Sequence, residues 1–162
     1  MTAPSAVELK VIEAQLGRPP RGVRAVAHRC ECGLPDVIET EPRLADGSPF
    51  PTFYYLTCPR AASAIGTLEA GGMMREMTSR LGADPSLAAA YVEAHHDYLA
   101  RRDAVEQLPG APGVGGMPSR VKCLHALVAH ALALGPGVNP LGDEALEVLP
   151  PWGFDGPCVV VA

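Results

Sequence analysis

Apolar residues first recur at helical spacing. Leu9, Ile12 and Leu16 share one face behind Ser5-Ala6-Val7-Glu8, a capping-box pattern, and Gly17 ahead of Pro19-Pro20 stops the run. At Val23 the period drops towards two: Val23, Ala25 and Ala27 alternate, predicting a strand that delivers His28 and Cys30. Gly33 and Pro35 make a turn, Val37-Ile38-Glu39-Thr40 reads as a returning strand, and aromatic-rich Phe53–Thr57 as a third. Beyond Cys58 the period is helical again. Helices are predicted from Pro59 to Gly71-Gly72, over Met73–Leu81, from Asp84-Pro85 to about Arg102, over Val121–Leu134, and from Asn139-Pro140 through Leu149. A glycine-rich loop, Gly110–Gly116, precedes the fourth of these. The C-terminal Cys158-Val159-Val160-Val161 reads as an added strand or a packed extension.

This pattern predicts an α+β fold, with a small antiparallel sheet in the N-terminal third packed against four to six helices. The 162 residues suit a single domain. It divides into an N-terminal helix with a Pro-rich loop (1–22), the sheet (23–58), a helical part (59–149) and a tail (150–162).

Charge narrows the function. A net charge of −5 supplies no broad basic field, which argues against non-specific nucleic-acid binding. Lysine is confined to Lys10 and Lys122, and arginine supplies the remaining basic positions. No apolar run approaches the roughly 18 residues of a membrane span, and Met1-Thr2-Ala3-Pro4 does not resemble a signal peptide. A cytoplasmic location follows as an expectation. In that reducing compartment the 5 cysteines point to metal binding, catalysis or burial rather than disulfides.

The thiols are the candidate chemistry. Cys30 and Cys32 bracket a tight turn, Cys58 precedes a helix opening on proline, and Cys123 lies near another helix start beside Arg120 and Lys122. Unpaired amides at a helix N-terminus, and neighbouring cations, both favour a thiolate. The leading expectation is therefore a Cys-ligated metal centre of Cys30, Cys58 and Cys123, completed by Cys32 or His125, with His28 a further candidate. Either an iron–sulfur cluster or zinc suits this donor set. An open coordination position there would permit catalysis on a small anionic substrate, with Arg29, Arg60, Arg120 and Lys122 as candidate binding groups. Cys158, in an apolar tail, falls outside the expected site. Two rival readings remain: a non-enzymatic module binding a protein partner through the N-terminal helix or the tail, and a metal-free thiol enzyme with Cys58 as nucleophile.

The histidines add less. His130, seven residues beyond Cys123, lies about 10 Å along a helix from it, too far to share an ion. A hydrogen-bonded histidine on an apolar helix accounts for it. His95, with Tyr91, Tyr98 and Arg102, forms a helical stripe best explained by packing. On a helix running from Val121, His125 would point away from Cys123.

Three segments carry a family resemblance: Gln15–Gly22, Pro51–Pro59 and Lys122-Cys123-Leu124-His125, joined by Asn139–Gly142 and the Glu76–Arg80 region. Over most of residues 6–149 the chain resembles the bacterial family, common in actinobacteria, catalogued as domain of unknown function 501. The resemblance implies a small cytoplasmic bacterial protein and carries no activity with it.

Overall fold

The computed structural model describes residues 1–161. Helix α1 (Ala6–Leu16) begins as its capping box predicts. Ser5 Oγ accepts from the Glu8 amide, Glu8 Oε1 accepts from the Ser5 amide, both at 3.2 Å, and Gly17 closes the helix at φ 73°. Strands β1 (Val23–Arg29), β2 (Pro35–Thr40) and β3 (Tyr54–Leu56) form an antiparallel sheet in the order β1-β2-β3. The central strand is buried at Pro35, Asp36, Val37, Ile38 and Thr40. The simple alternation expected of β1 does not hold. Register shifts along its pairing with β2 turn Val26 inward, while Ala25 and Ala27 stay partly exposed.

Six helices surround the sheet among the described residues, the later five being α2 (Pro59–Ala70), α3 (Met73–Ala83), α4 (Pro85–Asp103), α5 (Leu124–Leu134) and α6 (Pro140–Val148). The expected α+β architecture is what the chain adopts. Helix α5 is the innermost, with Leu124 and every residue from Ala126 to Ala131 buried, and it packs on β3, α2 and α6. Burial of Leu124 and Leu127 alone is worth about 1.5–3 kcal/mol each. Helix α6 comes so close that a Cβ on Gly142 would lie 2.3 Å from the Leu127 carbonyl oxygen, so only glycine fits there.

Polar side chains then fix the loops. The Tyr98 hydroxyl accepts from the Phe53 and Tyr54 amides at 2.6 and 3.1 Å, tying β3 to α4. The Tyr91, Tyr98 and Arg102 stripe is buried, as packing requires. Arg102 donates to the carbonyls of Pro51 at 3.0 Å and Pro112 at 2.8 Å, holding two loops from one guanidinium.

A further expectation changes. Helix α5 starts at Leu124 rather than Val121, because residues 120–123 are held in a loop. Lys122 and Cys123 amides donate to the Gly115 carbonyl at 2.7 and 3.3 Å, the Tyr91 hydroxyl donates to the Arg120 carbonyl at 2.8 Å, and the Val121 amide donates to Thr78 Oγ1 at 3.0 Å. Gly116 makes this fold-back possible: it sits at φ 96°, and a Cβ would meet the Arg120 carbonyl oxygen at 2.5 Å. In the tail, Cys158–Val161 adds no strand among the described residues: Cys158 packs against the core as the start of an irregular extension, while Val160 is exposed. Among the described residues, no helix is long and apolar enough to cross a membrane.

Candidate metal centre

The late start of α5 creates the site. Cys123 is its N-cap, in extended conformation at φ −150° and ψ 110°, and His125 lies in its first turn. With the two residues on opposite sides of that conformational switch, their side chains converge instead of diverging. Glu69, on the last turn of α2, closes the group: the ligand atoms of Glu69, Cys123 and His125 all lie within 4.8 Å of one another. Among the described residues they are the only His, Cys, Asp and Glu side chains gathered this closely in threes.

Each of the three is oriented by a backbone group. Glu69 Oε2 accepts from the Leu124 amide at 2.9 Å, capping α5 where its unpaired N–H groups favour an anion. His125 Nε2 lies 3.0 Å from the Ala62 carbonyl oxygen, which fixes a proton on Nε2 and leaves Nδ1 facing Glu69. The Ala126 amide is directed at the Cys123 thiol. Nδ1 and Glu69 Oε1 are 3.3 Å apart. That is longer than a charge-assisted hydrogen bond, about 2.7–2.9 Å. It matches the separation, about 3.3 Å, of nitrogen and oxygen ligands bound at 2.0–2.1 Å to one tetrahedral zinc ion. A histidine whose second nitrogen donates to a backbone carbonyl is the usual support of a metal ligand.

Without an ion the same atoms form an ion pair. Contact with the Cys123 thiol, against burial and with help from Glu69 and the Ala62 carbonyl, raises His125 to about 9. Burial pushes the Cys123 thiol up, but His125 and the Ala126 amide outweigh it and leave the thiol lowered. Cys123 and His125 line a cavity of about 550 Å³, shared with Gln15, Tyr54, Pro59 and Val114, and Glu69 stands behind them.

The remaining expected site residues are distributed differently. Cys58, fully buried, caps α2 at the end opposite Glu69, eleven residues away and so about 16 Å along the axis. Cys58 is not among the groups gathered within 4.8 Å around Cys123, and neither is Cys30, so the expected set of Cys30, Cys58 and Cys123 is not brought together as one cluster. Cys30 and Cys32 occupy the turn between β1 and β2; the Cys32 thiol contacts Cys30 and Cys158, and Cys158 contacts Cys58. Cys158 thus lies among three of the expected ligands rather than apart from them. Burial pushes the Cys58 thiol up to about 11, an environment unlike that of a nucleophile. His28 pairs with buried Asp36 at 2.6 Å.

The cations divide as well. Arg29 pairs with Glu8 of α1, and Arg60 donates to the Gly156 and Pro157 carbonyls at 2.8 and 3.1 Å, so both are engaged structurally. Arg120 and Lys122 are exposed and line a shallow pocket that reaches Cys123.

Glu69 is the ligand candidate that sequence reasoning missed. A signal existed: an acidic residue in the last turn of a helix opposes the helix dipole, which suggests a partner elsewhere.

No curated protein and no solved structure matches the chain. A family model does match, over residues 26–147, a span that includes Glu69, Cys123 and His125 but ends before Cys158. On that match the chain belongs to the family described as protein of unknown function DUF501.

Proposed function

We propose that this protein is a cytoplasmic metal-binding protein whose Cys-ligated centre holds zinc through Glu69, Cys123 and His125. The observation that carries the reading is the convergence of one oxygen, one sulfur and one nitrogen donor within 4.8 Å, on the wall of a cavity. The mixed donor set favours zinc over an iron–sulfur cluster, whose ligands are mainly thiolates. Ionised Glu69 and Cys123 together offset the charge of a divalent ion. A zinc ion with three protein ligands keeps a position for water or substrate and acts there as a Lewis acid. The chain's own groups then set the occupant. The cavity has room for a small molecule, and Arg120 and Lys122, in the adjoining pocket that also reaches Cys123, favour an anionic one.

The test is zinc titration of the metal-free full chain. Tight binding should fall by more than about 100-fold in Cys123→Ser, His125→Ala and Glu69→Gln, exceeding the 10–100-fold typical of residues that merely support a ligand. Lys122→Ala should bind as the wild type does. Unchanged affinity in all three ligand variants would remove the reading.

A second reading, metal-free thiol chemistry, moves from Cys58 to Cys123, because Cys123 is the lowered, cavity-facing thiol of the two. It predicts rapid, stoichiometric alkylation of Cys123 that zinc does not suppress.

A further inference from the structure

Four cysteines form a second assembly, separate from Cys123. Thiol contacts run in a row, Cys30 to Cys32 to Cys158 to Cys58, and join the β1–β2 turn, the C-terminal segment and the start of α2. Every sulfur in the row faces N–H donors. The Cys32 amide donates to Cys30 Sγ at 3.2 Å, and Gln15 Nε2 donates to Cys158 Sγ at 3.3 Å. The Leu34 and Cys158 amides are directed at Cys32, and the Arg60 and Ala61 amides at Cys58. Such donors suit a thiolate, but burial holds the Cys30 thiol up at about 12 and the Cys58 thiol at about 11, so without a cation both are neutral. Four neighbouring thiols from three segments, two of them the buried Cys30 and Cys58, supply donors that a cation among them would convert to thiolates.

The surroundings are built to the same end. Cys30-Glu31-Cys32-Gly33 forms a knuckle in which the Gly33 amide donates to the Cys30 carbonyl at 2.9 Å and Gly33 sits at φ 87°. The tail is moored on both sides of the row. Arg60 holds the carbonyls of Gly156 and Pro157, and Gly153 packs so tightly that a Cβ there would lie 2.9 Å from Glu31 Cβ and 3.4 Å from Cys30 Sγ.

We infer that Cys30, Cys32, Cys58 and Cys158 form a closed four-thiolate metal centre that fastens the C-terminal segment to the β1–β2 turn and to α2. Its occupant is a thiolate-seeking metal, either a zinc ion or the iron of an iron–sulfur core. The row is open, since no three of its sulfurs lie within 4.8 Å of one another. A zinc ion, which holds thiolates about 3.8 Å apart, would require the ends of the row to close in. A cluster bridges a wider row. In either case four S–metal bonds form and four thiol protons pass to the buffer. With all four positions taken by protein, the centre serves attachment rather than catalysis.

The test uses untagged full-length protein made in iron- and zinc-replete medium and purified without oxygen, with zinc, iron and acid-labile sulfide measured per chain. Cys32→Ser and Cys158→Ser, both at partly exposed positions, should lower the metal of this centre at least tenfold, whereas Cys123→Ser should leave it in place. Iron with sulfide and a brown colour identifies a cluster; a colourless protein losing one zinc equivalent identifies the single ion; both support the centre. Since Cys123→Ser removes only the metal of the other site, failure of either proposal is visible separately. A second measurement on the wild type does not depend on variants folding: Cys32 and Cys158 should resist alkylation until a chelator is added. Wild-type metal content in both variants, equal labelling with and without chelator, or a disulfide in the anaerobic protein would each overturn the inference.

Discussion

His125 and His130 stand on one helix, five residues apart, each within reach of a carboxylate: Glu69 at 3.3 Å and Asp97 at 2.9 Å. Their surroundings separate them. His130 is fully buried, with Nε2 on Asp97 and Nδ1 accepting from Asn139 Nδ2 at 3.1 Å, and its ring lies against Tyr54 and Tyr98. Both nitrogens are spent and the ring is packed, so it is a satisfied core residue. His125 spends one nitrogen on a backbone carbonyl and turns the other towards a thiol, a carboxylate and a cavity. A histidine–carboxylate pair is therefore no sign of chemistry by itself. What decides is the third partner and the space in front of it.

Exchanging the two substitutions breaks the comparison most severely. His125→Ala should abolish tight zinc binding at the Glu69–Cys123–His125 site while the urea midpoint of the metal-free chain changes by no more than about 1 kcal/mol equivalent, since the side chain is partly exposed. His130→Ala should do the reverse. It leaves a cavity and two unpaired polar partners, costing about 2–4 kcal/mol, with zinc stoichiometry intact. Zinc loss in the His130 variant alone would show that the assignments are exchanged.

The same contrast marks how far sequence reasoning reached. Local rules placed the elements, because capping boxes, N-terminal prolines and closing glycines act over a few residues: Ser5, Asp84-Pro85 and Asn139-Pro140 all begin helices as read. His130 was legible as core from its apolar helix. The candidate metal centre was only half legible. Cys123 and His125 were singled out, but their convergence depends on α5 starting at Leu124, and hydrogen bonds from Tyr91 and to Thr78 and Gly115 impose that start from distant segments. Glu69, 54 residues before Cys123, joins them only through the packing of α2 on α5. Cys158 was missed for a similar reason: Arg60 and Gln15, not the tail's own pattern, bring it to the other thiols.

Acid should sharpen the contrast further. Burial, outweighing Asp97, holds His130 below 6.5, and Asp97 is itself lowered because Arg101 and His130 outweigh its burial. The sign follows from proton counts. Between pH 6.5 and the lower folded value of His130, the unfolded chain binds the extra proton, so stability falls as pH falls. Asp97 extends the loss below pH 3.8, down through its own folded value. His28, raised chiefly by its hydrogen bond to Asp36, and His125 run the other way, losing stability as pH rises through their folded values. Urea unfolding of metal-free wild type against metal-free His130→Asn cancels those two contributions. The difference between the chains should grow with rising pH up to about 6.5, by at most about 1.4 kcal/mol per pH unit, and then level off. A difference independent of pH would mean that His130 is protonated as readily in the fold as outside it.

The smallest effect belongs to Arg101, which donates through Nε to both Asp97 oxygens at 3.0 and 3.2 Å, one turn away on α4. The pair is solvent-accessible, with Arg101 45% and Asp97 28% exposed, so screening limits it to about 0.3–0.5 kcal/mol. Arg101→Gln should therefore barely move the unfolding midpoint, yet it should raise the His130 titration followed by NMR, because the arginine charge helps to keep that imidazole neutral. A stability loss above about 2 kcal/mol would place the pair in the energetic class of buried ion pairs. The Asp97–His130 contact would then depend on a surface charge, and the distinction between a closed core histidine and an open ligand histidine would narrow to the presence of Cys123.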